Sequence, residues 1–203
     1  MVSSLHIVRV LVVASCLGVP CALGQTPAKI ATLDKSDLVV HVTKHGETIV
    51  VDVEMAVQEP PLAVWDVLTD YDHMAQFIAS VHSSRIADRT GNKLIVAQQS
   101  STAFGLLKFT FDNVREVELV PHSEIRSKLI SGDMKASAFT TRLVTEGNVT
   151  RVFNHGEFIP TMWVPPVVGT AFIESETRRQ FLELRNEMIR RAAARKTAAP
   201  SVQ

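Results

Sequence analysis

From Asp37 the chain alternates between apolar and polar positions. Leu38, Val40 and Val42 share one parity, and Lys44-His45-Gly46-Glu47 reads as a turn. Ile49, Val51, Val53, Met55 and Val57 resume the alternation, which predicts a hairpin or one long bent first strand. Glu59-Pro60-Pro61 ends that run, because proline cannot donate to a β-ladder. The spacing of Val64, Trp65, Val67 and Leu68 predicts a short amphipathic helix over 62–69, and Met74, Phe77 and Ile78 fall in a second short helical turn over 71–79.

Period two then returns. Strands are predicted over 81–88, 93–104, a segment opening at Leu107, 124–131, 136–145 and 150–159, with turns at Arg89-Thr90-Gly91-Asn92, Pro121-His122-Ser123, Gly132-Asp133 and Glu146-Gly147-Asn148. Leu107, Phe109 and Phe111 share a face. The apolar phase then slips around Asp112-Asn113 to Val114, Val117 and Leu119, which predicts a bulge or a sharp coil. Strands joined by such tight turns form an antiparallel meander. After Trp163-Val164-Pro165-Pro166 the period changes: Phe172, Ile173, Phe181, Leu184, Met188 and Ala192 make one stripe of a helix reaching near Lys196. Glu174 and Glu176 lie early in it and Arg190, Arg191, Arg195 and Lys196 late, as the helix dipole favours. A helix of about 30 residues is about 45 Å long. Its stripe needs a concave apolar partner, and a curved meander supplies one. The expected fold is therefore α+β, a curved antiparallel sheet of about six to seven strands wrapped around a long C-terminal helix, with two short helices after the first strand.

The first residues change the picture of where the protein works. A weakly basic start, the apolar run 10–19 and the small residues Ala22-Leu23-Gly24 read as a secretory signal peptide cleaved near Gly24. The domain organisation expected is a signal peptide over 1–24, a flexible leader over 25–36, one domain over 37–196 and a disordered tail over 197–203, with delivery to the periplasm. Both cysteines, Cys16 and Cys21, lie in the first segment, so cleavage leaves no thiol for a disulfide, a metal or catalysis. Val13-Ala14-Ser15-Cys16 also resembles a lipoprotein cleavage box. Basic and acidic residues number 21 each, which argues against nucleic acid as a partner.

The order strand, two short helices, six-stranded meander and long terminal helix resembles the START-like helix-grip (SRPBCC) superfamily. Within it the chain is most similar to the polyketide cyclase/dehydrase and lipid-transport group, which includes the coenzyme Q-binding proteins. The residues that carry the likeness are Val64-Trp65-Asp66-Val67-Leu68-Thr69-Asp70-Tyr71 with Phe77, then Gly132-Asp133-Met134-Lys135, Thr150-Arg151-Val152 and Pro165-Pro166, and it covers about residues 37–192. These are mostly packing and turn positions. The resemblance implies binding of a lipid, quinone, polyketide or other apolar molecule between helix and sheet, and it names no reaction.

Candidate pocket residues are Phe109, Phe111, Met134, Phe139, Phe153, Phe158, Trp163 and Phe172, with His155 as the histidine of interest. The competing reading of each aromatic is an ordinary core position. Burying about 300 Å² of apolar ligand gives roughly 7 kcal/mol, less association costs of at least ~4 kcal/mol, so moderate affinity is expected. Gln98, Ser100, Thr102, Asn154 and His155 interrupt apolar alternations and either orient a ligand or face solvent. Trp163-Val164-Pro165-Pro166-Val167-Val168 is expected at the pocket mouth. Asp70-Tyr71-Asp72-His73 reads as a helix cap rather than a metal or acid–base site, and the remaining histidines show no metal spacing. No nucleophile elbow, phosphate loop or dinucleotide fingerprint is present, so neither a cofactor nor a catalytic set is expected. The first reading is thus an exported binding or carrier protein for a hydrophobic small molecule. The alternative is a cyclase or hydratase using the same pocket, with His155 and Tyr71 as proton carriers. The basic stretch from Arg185 to Lys196 is a candidate for transient contact with anionic lipid head groups. Oligomeric state is not legible.

Overall fold

The computed structural model describes residues 37–104 and 107–198, so the expected signal peptide, the leader, both cysteines and the last five residues lie outside the described part. The first alternating run is a hairpin, β1 (Leu38–His45) and β2 (Thr48–Val57). Gly46 turns it at φ 61°, a backbone conformation that favours glycine. Next come α1 (Pro61–Leu68), a 3-10 turn at Tyr71–His73 and α2 (Met74–Phe77). The meander is β3 (Val81–Thr90), β4 (Lys93–Phe104), β5 (Leu107–Val120), β6 (Glu124–Gly132), β7 (Met134–Glu146) and β8 (Val149–Pro160), and α3 (Val168–Ala198) closes the chain.

All strands join one antiparallel sheet in the order β1-β2-β8-β7-β6-β5-β4-β3. Its eight strands exceed the expected six to seven because the first run is two strands rather than one bent one. Two short helices follow β2, and beside β1 its other neighbour in the sheet is β8, paired from Ile49↔Phe158 to Val57↔Thr150. Thr150 is wholly buried, and its hydroxyl donates to the Glu59 carbonyl at 2.7 Å. That bond fixes the chain where Pro60 forces it off the ladder. The core lies under one end of the curved sheet: Ile49, Met55, Val57, Val64, Val67, Leu94, Val96, Val117, Val152 and Met188 are fully buried there.

The two halves of α3 are held differently. The C-terminal half packs on the core through Met188 and Ala192. Ion pairs pin it: Arg185 to Asp37 at 3.0 Å, Arg191 to Asp70 at 2.7 Å, Arg195 to Asp66 at 2.8 Å and Lys196 to Glu59 at 3.3 Å. Four cations of this stretch thus face carboxylates of the chain itself, with Arg195 and Lys196 still exposed. The Arg191 pair corrects the cap reading of Asp70. Its side chain caps no backbone N–H but meets His73 Nδ1 at 2.6 Å and Arg191 on α3. Burial alone would raise the Asp70 pKa; the bonds from His73 and Arg191 and their charges hold it below the ordinary value.

Glu187 makes the tightest of these contacts, accepting from Arg190 Nε at 2.7 Å and Arg191 Nε at 2.6 Å. Hydrogen bonds from Arg190, then those from Arg191 with the charges of both, outweigh burial and lower its carboxyl from 4.5 to about 2. A depressed carboxyl stabilises the fold above its unfolded pKa. That stability is lost as pH falls from about 4.5 through about 2. Glu187→Gln should therefore cost about 1–3 kcal/mol at neutral pH, and its denaturant midpoint should fall less on acidification than that of the parent protein. Parallel acid limbs in the two proteins would show that Glu187 contributes nothing to the pH dependence.

Candidate ligand cavity

Period two along each strand decides what faces α3. On β5 the inward positions are Phe109, Phe111, Arg115 and Val117, one unbroken parity, so the strand has no phase slip. The apparent slip in the sequence arises because an arginine occupies an inward position. The register irregularity lies across from it, where β6 carries an extra residue between the partners of Val114 and Arg115. On β8 the inward set is Val152, Asn154, Gly156 and Phe158, and on β7 it includes Phe139 and Thr141. Gly156 lies opposite Phe139, and a Cβ there would stand 1.9 Å from the Phe139 ring. The missing side chain lets that ring lie over the backbone, stacked with Phe158 at 6.4 Å between centroids. Gly156→Ala should displace Phe139 and destabilise the fold by about 1–3 kcal/mol, seen as a lower midpoint in urea. An unchanged midpoint would mean the ring moves freely.

Between this sheet face and the N-terminal half of α3 lies a cavity of about 510 Å³. That size is typical of small-molecule sites. The helix covers it with Gly169, Phe172, Ile173, Glu176, Gln180 and Phe181. Gly169 allows the entry: a Cβ there would stand 2.4 Å from Val164 Cγ1, so the loop packs directly on the helix start. Hydrogen bonds close the seam toward β3 and β4, from Thr102 Oγ1 to Glu176 at 2.8 Å, from Gln180 to Ser80 at 3.2 Å, and from the Ala79 N–H to Glu183 at 3.1 Å. Burial alone would raise the Glu176 pKa, but bonds from Arg179 and Thr102 and the Arg179 charge hold it below the ordinary value, so it stays ionised. On the other side Arg178 donates to the Leu38 carbonyl at 2.8 Å. The exposed lining residues Asp133, Thr161, Met162 and Trp163 mark the mouth. Trp163 is 76% exposed there.

The structure brings together Phe109, Phe111, Met134, Phe139, Phe158, Trp163 and Phe172, all of them lining this space. It does not bring in Phe153 or His155, which corrects both assignments. They alternate with Val152, Asn154 and Gly156, so they point from the opposite face of the sheet. Phe153 is exposed across from Arg142, and His155 Nδ1 meets Asp52 at 2.7 Å on the outer face. Ser100, Thr102 and Asn154 do line the cavity. Asn154 Nδ2 donates to Thr141 Oγ1 at 2.8 Å. Gln98 does not line it; its amide oxygen accepts from Arg115 Nη2 at 2.9 Å. Trp163, Val164 and Pro165 border the mouth as expected, while Val167 and Val168 project outward, exposed.

Arg115 and Tyr71 were missed as a pair. Both line the cavity, with the guanidinium carbon 5.8 Å from the centre of the Tyr71 ring. Burial raises the Tyr71 pKa, the Arg115 charge opposing it, so the phenol is neutral at physiological pH. Extending the odd parity of Phe109 and Phe111 through to Val117 and Leu119 would have placed Arg115 inside. No group of three or more metal-ligating side chains occurs among the described residues.

Similarity to known proteins follows the architecture. A STAR-related lipid transfer protein from Xanthomonas axonopodis superposes with a TM-score of 0.62 at 13% identity, over 77% of this chain and 96% of that one. The Zhui aromatase/cyclase of a Streptomyces species gives 0.60 at 17% identity, over 76% and 99%. A START superfamily protein from Mycobacterium smegmatis gives 0.61 at 12% identity, over 70% and 97%. At these identities the likeness shows the fold, the START helix-grip. No curated protein matches by sequence. The family model for polyketide cyclase / dehydrase and lipid transport matches residues 57–183, more than half of the sequence, and it spans α1, the whole meander and the half of α3 that covers the cavity; the chain belongs to that family.

Proposed function

We propose that this is an exported, periplasmic binding or carrier protein for a hydrophobic small molecule such as a lipid, quinone or polyketide-like compound, held between the sheet and α3. The observation that carries it is the open cavity of about 510 Å³ faced by phenylalanines from β5, β7, β8 and α3. Export rests on the basic, apolar and small-residue order of residues 1–24. The test is native mass spectrometry of protein purified from its own cells after fractionation, followed by titration with a quinone and a fatty acid. A periplasmic fraction carrying a bound apolar species and saturable titration support the reading. An empty protein that neither compound saturates removes it.

Cargo exchange at a lipid surface extends this reading. Met162, Trp163, Val167 and Val168 are exposed and continuous with the mouth. Trp65 is buried, so a change in emission on adding lipid vesicles reports Trp163. The emission should shift to the blue, and Trp163→Phe should abolish the shift. An unshifted parent spectrum would rule out insertion of this loop.

A cyclase-type activity in the same cavity is the second reading, favoured by Tyr71 beside Arg115 and consistent with the cyclase-like fold. His155 takes no part in it, because it lies on the outer face of the sheet. Turnover of a flexible polyketide that survives Tyr71→Phe would take the proton-carrier role from Tyr71.

A further inference from the structure

Arg115 is the one arginine lining the cavity among the described residues, and its surroundings are unusual for a deep cation. The arginines of α3 that flank the same cavity or its base each meet a carboxylate of this chain: Arg178 with Glu174, Arg179 with Glu176, Arg185 with Asp37 and Arg191 with Asp70. Arg115 meets none among the described residues. Its Nη2 donates to the Gln98 amide oxygen at 2.9 Å, its guanidinium faces the Tyr71 ring, and its buried Nε has no partner. An arginine stays charged, and a charge withdrawn from water without a counter-ion is costly. What remains accessible of the side chain opens into the cavity.

Building on the carrier reading, we propose that Arg115 is the anchor for an oxyanion, of which carboxylate is the fitting class, at one end of the apolar cargo. Gln98 orients the guanidinium through Nη2. The planar fork then offers its other donors to a carboxylate, and Tyr71, whose hydroxyl bonds to no described residue, stands beside it. The phenylalanines hold the apolar remainder, with its far end toward Trp163. The cavity therefore prefers an amphiphile, head inward, over a neutral hydrocarbon of the same shape.

The test uses cis-parinaric acid and its methyl ester, which share one fluorescent chain and differ in charge, titrated at a pH where the acid is ionised. The parent protein should bind the acid at least about tenfold tighter than the ester. Arg115→Met should lose about tenfold or more for the acid and leave the ester unchanged. Equal affinities in the parent protein would overturn the anchor while leaving the carrier reading intact, and a preference that persists in the variant would also overturn it. Failure of both probes to saturate the parent protein would overturn the carrier reading and the anchor with it. The acid–ester comparison in the parent protein needs no variant, so a poorly folding Arg115→Met leaves the proposal open to refutation.

Discussion

Ser127→Trp should abolish cargo binding, weakening it by about 100-fold or more, while the protein remains folded. Ser127 lies on β6 opposite Phe139 and Val117 and lines the cavity floor. An indole there projects into the space that the cargo's chain would fill. Overpacking costs arise when added atoms enter an already filled core. Here they enter a hollow, so the thermal midpoint should hold or rise. Titration with a fluorescent fatty acid reads the first effect and calorimetry the second. A variant that binds as the parent does would show that cargo sits elsewhere. One that unfolds would show that the cavity is smaller than its geometry indicates.

Met188→Ala should have the largest effect on stability, a loss of about 2–5 kcal/mol. Met188 is fully buried under the C-terminal half of α3, where the helix meets the core. The shortened side chain leaves a void that the surrounding strands and α1 cannot close. At about 2–4 °C per kcal/mol for a protein of this size, the melting temperature should drop by roughly 4–20 °C. Below that temperature binding should persist, because Met188 does not line the cavity. A small thermal shift would mean that the ion pairs of Arg185, Arg191, Arg195 and Lys196, rather than packing, hold this half of the helix. The Arg195 and Lys196 side chains are exposed, and pairs of that kind rarely carry so much.

The two experiments separate the halves of one helix. Residues before Arg185 cover the hollow with Phe172, Ile173 and Phe181 and meet β3 and β4 mainly through polar bonds such as Thr102–Glu176. From Arg185 onward the helix buries Arg185, Glu187, Met188 and Ala192 and is anchored by its ion pairs.

Much of this architecture was legible because it depends on short-range rules. The bounds of β4 follow from Gly91-Asn92 and the alternation after it, and α3 starts where Pro165-Pro166 permits a helix to begin. Phe109, Phe111, Phe139 and Phe158 were legible for the same reason: large aromatics on one parity of an amphipathic strand face the helix. The errors came where the inward residue is not apolar. On β8 the inward sites are Asn154 and Gly156, so the eye falls on Phe153 and His155, one step out of phase. On β5 the inward Arg115 breaks the run and imitates a slip. Asp70 was misread because its partner, Arg191, lies far along the chain, and no local rule connects them. Polar inward residues interrupt the pattern by which strands are read, and those residues are the ones that shape a binding site.

The central claim, that apolar cargo lies beneath α3, is tested most directly by diffraction from the protein grown with an ω-bromo fatty acid. The account predicts an anomalous bromine peak inside the hollow that Phe139, Phe158 and Phe172 line. Bromine found only on the outer surface, with those rings packed against one another, would contradict it.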